Sequence, residues 1–283
     1  MIVAVIPNLD KRGSSDTVEK MASFFKECGI TAYLPDSICC AGYELLPEDE
    51  LFKIADVIVT IGGDGTIIRF AKRAAVDGKP VLGINAGRVG YLANIEQNEY
   101  QLLSKLKSGE YRIEERMMLH ITVKENGNVV GEFDALNDAV ISSGYLSRII
   151  DVTASVDGGD VITYHADGLI AATPTGSTAY SMSAGGPVID PTMKCVCLTP
   201  ICSHTLAAKP ILVGSKKTIK LKAFSKKRTD IYMSVDGRKV ANIKPFTEIY
   251  ITESKQAVKL VRLNDRSFYK TLSLKFRDAR SGM

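Results

Sequence analysis

The chain has 283 residues, 45% of them apolar, a formal charge of +4 and a mean hydropathy close to zero. That length suits two domains, so small a charge gives no argument for a nucleic-acid partner, and no apolar run reaches the roughly 18 residues of a membrane span. The first apolar run, Ile2 to Ile6, lacks a basic lead and is too short for a signal peptide, so a cytoplasmic protein with no membrane partner is expected.

Ile2 to Ile6 predicts a first strand, stopped by Pro7-Asn8. A loop through Gly13 leads to a helix with Asp16 as N-cap and Glu19 three residues on, a variant of the capping box. Val18, Met21, Phe24, Phe25 and Cys28 form its apolar stripe, and Gly29 ends it. Residues 30–34 predict a second strand, and an irregular section follows to Pro47. The β-branched run from Val57 to Ile61 suits a strand buried on both faces. It runs into Gly62-Gly63-Asp64-Gly65-Thr66, with a helix expected from Ile67 to about Val76. Residues 80–84 predict another buried strand, which delivers Asn85-Ala86-Gly87-Arg88-Val89-Gly90-Tyr91-Leu92, and a helix over 97–107 closes this half. The alternation predicts an α/β domain over 1–115 with a parallel, Rossmann-like sheet, whose ligands lie beyond the strands' carboxyl ends.

After Arg116 the texture changes. Two stretches read as hairpins, one turning at Asn126-Gly127 and one at Asp157-Gly158-Gly159. Short strands are expected at 169–173, 195–199, 211–213, 218–224, 230–235, 248–252 and 257–262, so a mostly antiparallel, all-β domain is predicted over 116–262. The segment 263–283 reads as irregular, either returning to the first domain or trailing off.

Gly62 to Thr66 carries the first chemical signal. Its glycines are expected to turn the backbone through positive φ and to admit a ligand close to the main chain. Free amides at the following helix N-terminus favour a phosphate. A carboxylate there repels phosphate unless a metal or a reacting hydroxyl intervenes, which points to phosphoryl transfer, with Asp64 exposed rather than packed. No lysine follows Gly65, which excludes a P-loop, and Ile68 stands where a dinucleotide fingerprint needs its third glycine. The plain alternative is a tight strand-to-helix turn.

Other clusters read as structure. Cys195, Cys197, Cys202 and His204 match no usual zinc spacing, and Cys195 and Cys197 share one strand face, so buried, metal-free thiols are expected. Lysines gather over 216–228, but Lys216, Lys220 and Lys222 partly alternate with apolar residues, the pattern of a solvated strand face. The stretch from Asp167 to Pro187 differs: glycines and hydroxyls around Tyr180 make a poor core and a good nucleotide pocket, with one aromatic face for a base. Asn137-Asp138 interrupts an apolar strand with the donor and acceptor groups that a ribose or an adenine edge needs; a strand-edge pair is the structural alternative.

Together, residues 62–66, 85–92, 137–138, 167–191, 203–213 and 234–237 resemble the NAD kinase family over nearly the whole chain. GGDGT alone is shared with lipid kinases and, in related form, phosphofructokinases; TPTGSTAY at 173–180 narrows the choice. The resemblance implies a first domain of the NAD/diacylglycerol-kinase type. It also implies transfer of the γ-phosphate of ATP to the 2′-hydroxyl of the adenosine ribose of NAD, giving NADP. By it, Asp64 would be the catalytic base, with Gly63 and Gly65 at the phosphates and Mg²⁺ or another divalent metal bridging phosphate oxygens, held by no assigned side chain. Asn137 and Asp138 would hold the adenosine part of NAD, Asp167 would contact NAD, and Thr178, Ala179, Tyr180 and Ser183 would line the pocket. Arg148, His165 and Thr175 complete the expected nucleotide-binding set, and a homodimer or homotetramer is implied. Asp138 stands where the family usually has glutamate, His165 where arginine is frequent, and Arg238 where glutamine is common. A contact of His165 to pyrophosphate would thus depend on pH. Two rivals are a lipid kinase, against which the hydroxyl-rich stretch argues, and a non-catalytic NAD(P)-binding regulator, against which Asp64 argues.

Overall fold

The computed structural model describes residues 1–283 except 39, 41, 88, 145–148, 206–207, 226–229, 282–283 and the side chains of 278–281. It divides into two compact units, Met1–Glu115 with Ala257–Met283, and Arg116–Gln256. Residues 257–262, which the sequence places with the second domain, thus fall in the first unit. Among the described residues no helix is long and apolar enough to cross a membrane.

The first unit starts with β1 (Ile2–Pro7), α1 (Ser14–Glu27), β2 (Thr31–Pro35), β3 (Glu44–Leu46) and α2 (Glu48–Ile54). It continues through β4 (Val57–Gly62), α3 (Asp64–Val76), β5 (Val81–Asn85), β6 (Ile95–Glu96), a 3-10 turn over Gln97–Leu103 and α4 (Ser104–Ser108). The sheet order β3-β2-β1-β4-β5 is parallel throughout. It therefore has a switch point between β1 and β4, whose carboxyl ends pair Pro7 with Ile61. Val3, Val5, Val57, Val59, Leu82 and Ile84 bury one sheet face against Val18, Met21 and Phe25 of α1 and Leu103 and Leu106. Each such side chain taken from water is worth roughly 1.5–3 kcal/mol. Contrary to the Asp16 cap, α1 begins at Ser14 behind Gly13, whose φ is 76° and which makes no side-chain cap. The section before Pro47 also holds a short strand, and a helix follows it.

The second unit holds the rest of β7 (Arg112–Glu125), then β8 (Asn128–Ala135), β9 (Asp138–Ser143), β10 (Ile150–Val156), β11 (Val161–Ala166) and β12 (Gly168–Ala172). A 3-10 turn (Gly176–Thr178) and α5 (Tyr180–Ser183) interrupt the strands. The unit continues with β13 (Cys195–Ile201), β14 (Ile211–Gly214), β15 (Ile219–Phe224), β16 (Ile231–Val235), β17 (Arg238–Ile243) and the start of β18 (Glu248–Arg262). Beyond β18, α6 (Phe268–Ser281) lies in the first unit, where the sequence suggested irregular chain. Strands β14-β13-β12-β9-β16-β17 form one antiparallel sheet, and β11, β10, β15 and β18 pair antiparallel in another. Alternate residues of both face one core, including Leu119, Ile141, Val152, Leu169, Leu198, Leu221, Met233 and Ile249. The turns at Asn126-Gly127, Asp157-Gly158 and Asp236-Gly237 each place two residues at positive φ, as tight hairpins require. The lysine pattern is a strand face: Leu221 is buried while Lys220 and Lys222 lie beside Glu248.

Candidate active site

In the first unit β4 ends at Gly62 and α3 begins at Asp64, three residues before the expected start. The glycines do not turn through positive φ: Gly63 is extended at φ −93°, and neither Gly62 nor Gly65 lies in the left-handed region. They are needed for space instead. A Cβ on Gly62 would stand 2.6 Å from the Thr66 hydroxyl, whereas Gly63 and Gly65 face open space. Asp64 is the first residue of α3, where the helix dipole favours a carboxylate.

Asp64 is not free in a cleft. It is half-buried, and its two oxygens accept the amides of Tyr91 at 2.9 Å and Leu92 at 3.1 Å. A Cβ on Gly90 would overlap the carboxylate, so this loop can close on Asp64 only through glycine. A carboxylate has about four lone-pair sites, so one remains on each oxygen. Asn85, at the end of β5, donates to Glu96 at 2.7 Å and leaves its buried Oδ1 without a partner. Arg88, in the same motif, lies outside the described residues.

A cavity of about 480 Å³ adjoins this turn, lined by Pro7, Asn8, Asp10, Gly65, Thr66 and Arg69 among others. It lies beyond the carboxyl end of β1 and beside the start of α3, at the switch point where open α/β sheets bind ligands. Asn8 donates to Thr66 at 3.3 Å and ties the two loops. No three metal-ligating side chains gather among the described residues. Mg²⁺ is usually bound through one or two carboxylates and otherwise through waters and substrate oxygens, and Asp64 is the carboxylate in this turn.

In the second unit, Asn137-Asp138 and Thr173–Gly176 pack directly on each other. Thr173 donates its amide to the Asn137 carbonyl at 2.8 Å and its hydroxyl to the Leu136 carbonyl at 2.5 Å. A Cβ on Gly176 would overlap the Asn137 carbonyl. Asp236, at φ 46°, accepts the amides of Leu136, Asn137 and Asp138 at 3.1, 2.7 and 3.2 Å. The sequence motif 234–237 contained this residue, but its role as a seat for three amides was not foreseen. Asn137 is half-buried. Asp138 is only 4% exposed, and burial, with the charge of Asp236, pushes its carboxyl up to about 7.

The stretch after Asp167 is partly core. Gly168–Ala172 is a fully buried central strand, in line with the strand expected over 169–173, and so does not line a pocket. Of the hydroxyls that follow, Thr173, Ser177 and Ser181 are wholly buried staples: Ser177 bonds the Pro174 carbonyl at 2.7 Å, and Ser181 meets Thr199 at 2.9 Å. Thr175 is buried and receives Arg116 at 3.4 Å. Thr178 and Ala179 are half-buried, while Tyr180 and Ser183 are exposed at one end of the stretch. Asp167 is half-buried between β11 and β12. His165 lies two residues earlier, on β11, its Nδ1 against Asp151. Arg148 lies outside the described residues. Cys195 and Cys197 are buried as expected, with both thiols pushed up by burial, but Cys202 is exposed at φ 47°.

Models of the ATP-NAD kinase N-terminal and C-terminal domains match residues 47–111 and 136–263. The chain is 41% identical over 276 residues to the NAD kinase of Symbiobacterium thermophilum, covering 96% of this chain and 97% of that one. It is 38% identical over 274 residues to the NAD kinase of Caldanaerobacter subterraneus subsp. tengcongensis, covering 95% and 96%. Among solved structures, an NAD kinase from Archaeoglobus fulgidus in complex with ATP superposes with a TM-score of 0.75 at 28% identity, over 98% and 99% of the two chains. Yeast NADH kinase complexed with NADH superposes with a TM-score of 0.83 at 22% identity, over 96% and 86%, and bears on the fold alone.

Proposed function

The chain belongs to the NAD kinase family, and from that premise we propose that it moves the γ-phosphate of ATP to the 2′-hydroxyl of the adenosine ribose of NAD, giving NADP, with Asp64 as general base. The observation that carries this reading is the seat of Asp64. Its carboxylate is held at the first position of α3 between Gly63 and Gly65, whose open faces leave backbone free for phosphate oxygens. The cavity beside Gly65 is then the seat of the donor nucleotide, with Arg69 at its rim.

Asp64 accepts the proton of the hydroxyl on a remaining lone pair as the hydroxyl oxygen bonds to the γ-phosphorus and the bond to the β-phosphate oxygen breaks, releasing ADP. A ribose hydroxyl is much less acidic than a carboxyl, so that proton moves late, which a loose transition state tolerates. A bound Mg²⁺ supplies neutralisation of phosphate charge. In the second unit, half-buried Asn137 and exposed Tyr180 would hold the adenosine part of NAD, the first by hydrogen bonds and the second by stacking. A carboxyl such as Asp138, balanced between its two forms near neutrality, can donate or accept there. With this activity go cytoplasmic location and a homodimer or homotetramer, the latter checked by light scattering.

The test is an assay with ATP, Mg²⁺ and NAD, read by an NADP-specific dehydrogenase, for the parent and Asp64→Asn. The loss expected for a general base is 10²–10⁴ in kcat, with the NAD dissociation constant nearly unchanged. An Asp64→Asn chain that keeps roughly a tenth of the parental kcat, well short of that range, would remove Asp64 from the proton transfer.

A further inference from the structure

We infer that Arg262, at the end of β18, is a positioning residue for Asp64, acting through the backbone of Leu92; the inference rests on the reading of Asp64 as the base. The carboxylate of Asp64 is oriented by the amides of Tyr91 and Leu92, so its orientation is only as firm as their positions. The same residue, Leu92, is anchored through its own carbonyl by the returning C-terminal segment. Arg262 donates Nη1 to the Leu92 carbonyl at 3.1 Å, while its Nε and Nη2 grip Glu114 at 3.4 and 3.1 Å. Arg262 is 6% exposed, so its fork is fixed by packing as well as by charge. The next residues close the same loop: Leu263 donates to Asn94 at 2.7 Å, and the amide side chains of Asn94 and Asn264 bond at 3.0 Å. Tyr91 is covered by α6, with its ring 5.8 Å from that of Phe268. The segment that carries the amides is therefore gripped between Asp64 and residues some 170 positions later in the chain.

Arg262 touches neither phosphate nor hydroxyl in this account. Its contribution is to the geometry of the base, where a misplacement of about 1 Å can cost 10²-fold in rate. A purely structural arginine would instead lower stability and leave the rate of the folded enzyme alone.

The experiment is a double-mutant cycle on the full chain with Arg262→Gln, Asp64→Asn and the pair, measuring kcat, KM for ATP and NAD, and thermal midpoint. Arg262→Gln alone should lower kcat by about 10- to 10²-fold with both KM values unchanged. In the Asp64→Asn background it should cost nothing more, because the group it positions has gone. An equal loss of kcat in both backgrounds, or no loss in the parent, would overturn the positioning role and leave Asp64 as base untouched. A fully active Asp64→Asn would remove the base, and the positioning role with it. Should Arg262→Gln not fold, Arg262→Lys keeps the charge but not the fork, and the same cycle decides.

Discussion

Each unit contains an aspartate, followed by glycine, whose carboxylate gathers backbone amides. Asp64 collects two, from a loop 27 and 28 residues away, and Asp236 collects three, from a strand start about 100 residues away. A second glycine lies close by in each place, though with a different neighbour: a Cβ on Gly90 would meet the Asp64 carboxylate itself, and one on Gly176 would meet the Asn137 carbonyl. The difference is what the carboxylate faces. Asp64 lies at a helix start among glycines open to a ligand, whereas Asp236 sits at a left-handed hairpin position with its oxygens on the chain. On the proposed reading one pattern holds a reactive group in place, and the other uses a carboxylate to hold a neighbouring pair. On that reading the same dipeptide carries chemistry in one unit and support in the other.

Substituting the two glycines breaks that comparison most sharply. In Gly90→Ala the new methyl overlaps the tip of the Asp64 side chain, which can swing away. The carboxylate then leaves the amides of Tyr91 and Leu92, at a stability cost of roughly 0.5–1.5 kcal/mol per hydrogen bond lost. The rate should fall toward that of Asp64→Asn, a loss of about 10²–10⁴ in kcat. In Gly176→Ala the overlap is with the backbone carbonyl of Asn137, which cannot swing away. That variant should lose thermal stability first and activity only as a consequence. Steady-state kinetics and melting curves on both chains check this; a Gly90→Ala chain with parental kcat would show that the seat of Asp64 has no catalytic weight.

The second contrast is electrostatic. Asp138 is raised from 3.8 to about 7 by burial and by the charge of Asp236. The folded chain therefore binds a proton that the unfolded chain has already released between about pH 4 and 7, and stability falls as pH rises through that window and then levels. The full cost above pH 7 is on the order of 4 kcal/mol, at 1.36 kcal/mol per pKa unit. Asp138→Asn removes it, so the variant should gain on the parent more at pH 8 than at pH 5. Denaturant titrations at the two pH values measure this, and an equal difference at both would deny the buried charge.

Much of this fold was legible because the strands announce themselves: Val57 to Ile61 is β-branched throughout, Val81 to Ile84 holds only apolar residues and a glycine, and the hairpins at Asn126-Gly127 and Asp157-Gly158 carry their turn residues, whereas the one at Asp236-Gly237 was not read. The helix over Glu48–Ile54 was missed although Pro47 and three acidic residues mark its start; at seven residues it carries too little periodicity to read. The site was legible as a set of residues and not as an arrangement. Gly62 and Gly90 matter for what packs against them, which depends on Thr66 and Asp64 and on no torsion visible in a motif. Likewise the hydroxyls at 173–181 cannot show from the sequence which turn inward. Thr173, Ser177 and Ser181 do, and are lost to any ligand. Asp64, expected to be exposed rather than packed, is tied to the chain by two amides and so contributes to stability. Its asparagine variant has one acceptor for two amides, so its melting temperature should fall modestly rather than rise.

The smallest expected effect concerns Tyr180, and it separates the ligand-facing end of the 173–181 stretch from the stapled remainder. Tyr180 is 47% exposed at the start of α5, so its ring contributes little to the core. If that ring stacks on an adenine, Tyr180→Ala should weaken NAD binding by about 1–3 kcal/mol. Tyr180→Phe keeps the aromatic face and should be much milder. The melting temperature should hold in both, in contrast to Ser177→Ala, which strips two hydrogen bonds from a buried hydroxyl. Calorimetric titration with NAD decides the matter for each chain. A folded Tyr180→Ala that binds NAD as tightly as the parent would take Tyr180 out of the pocket and leave Asn137 as the principal hold on the adenosine.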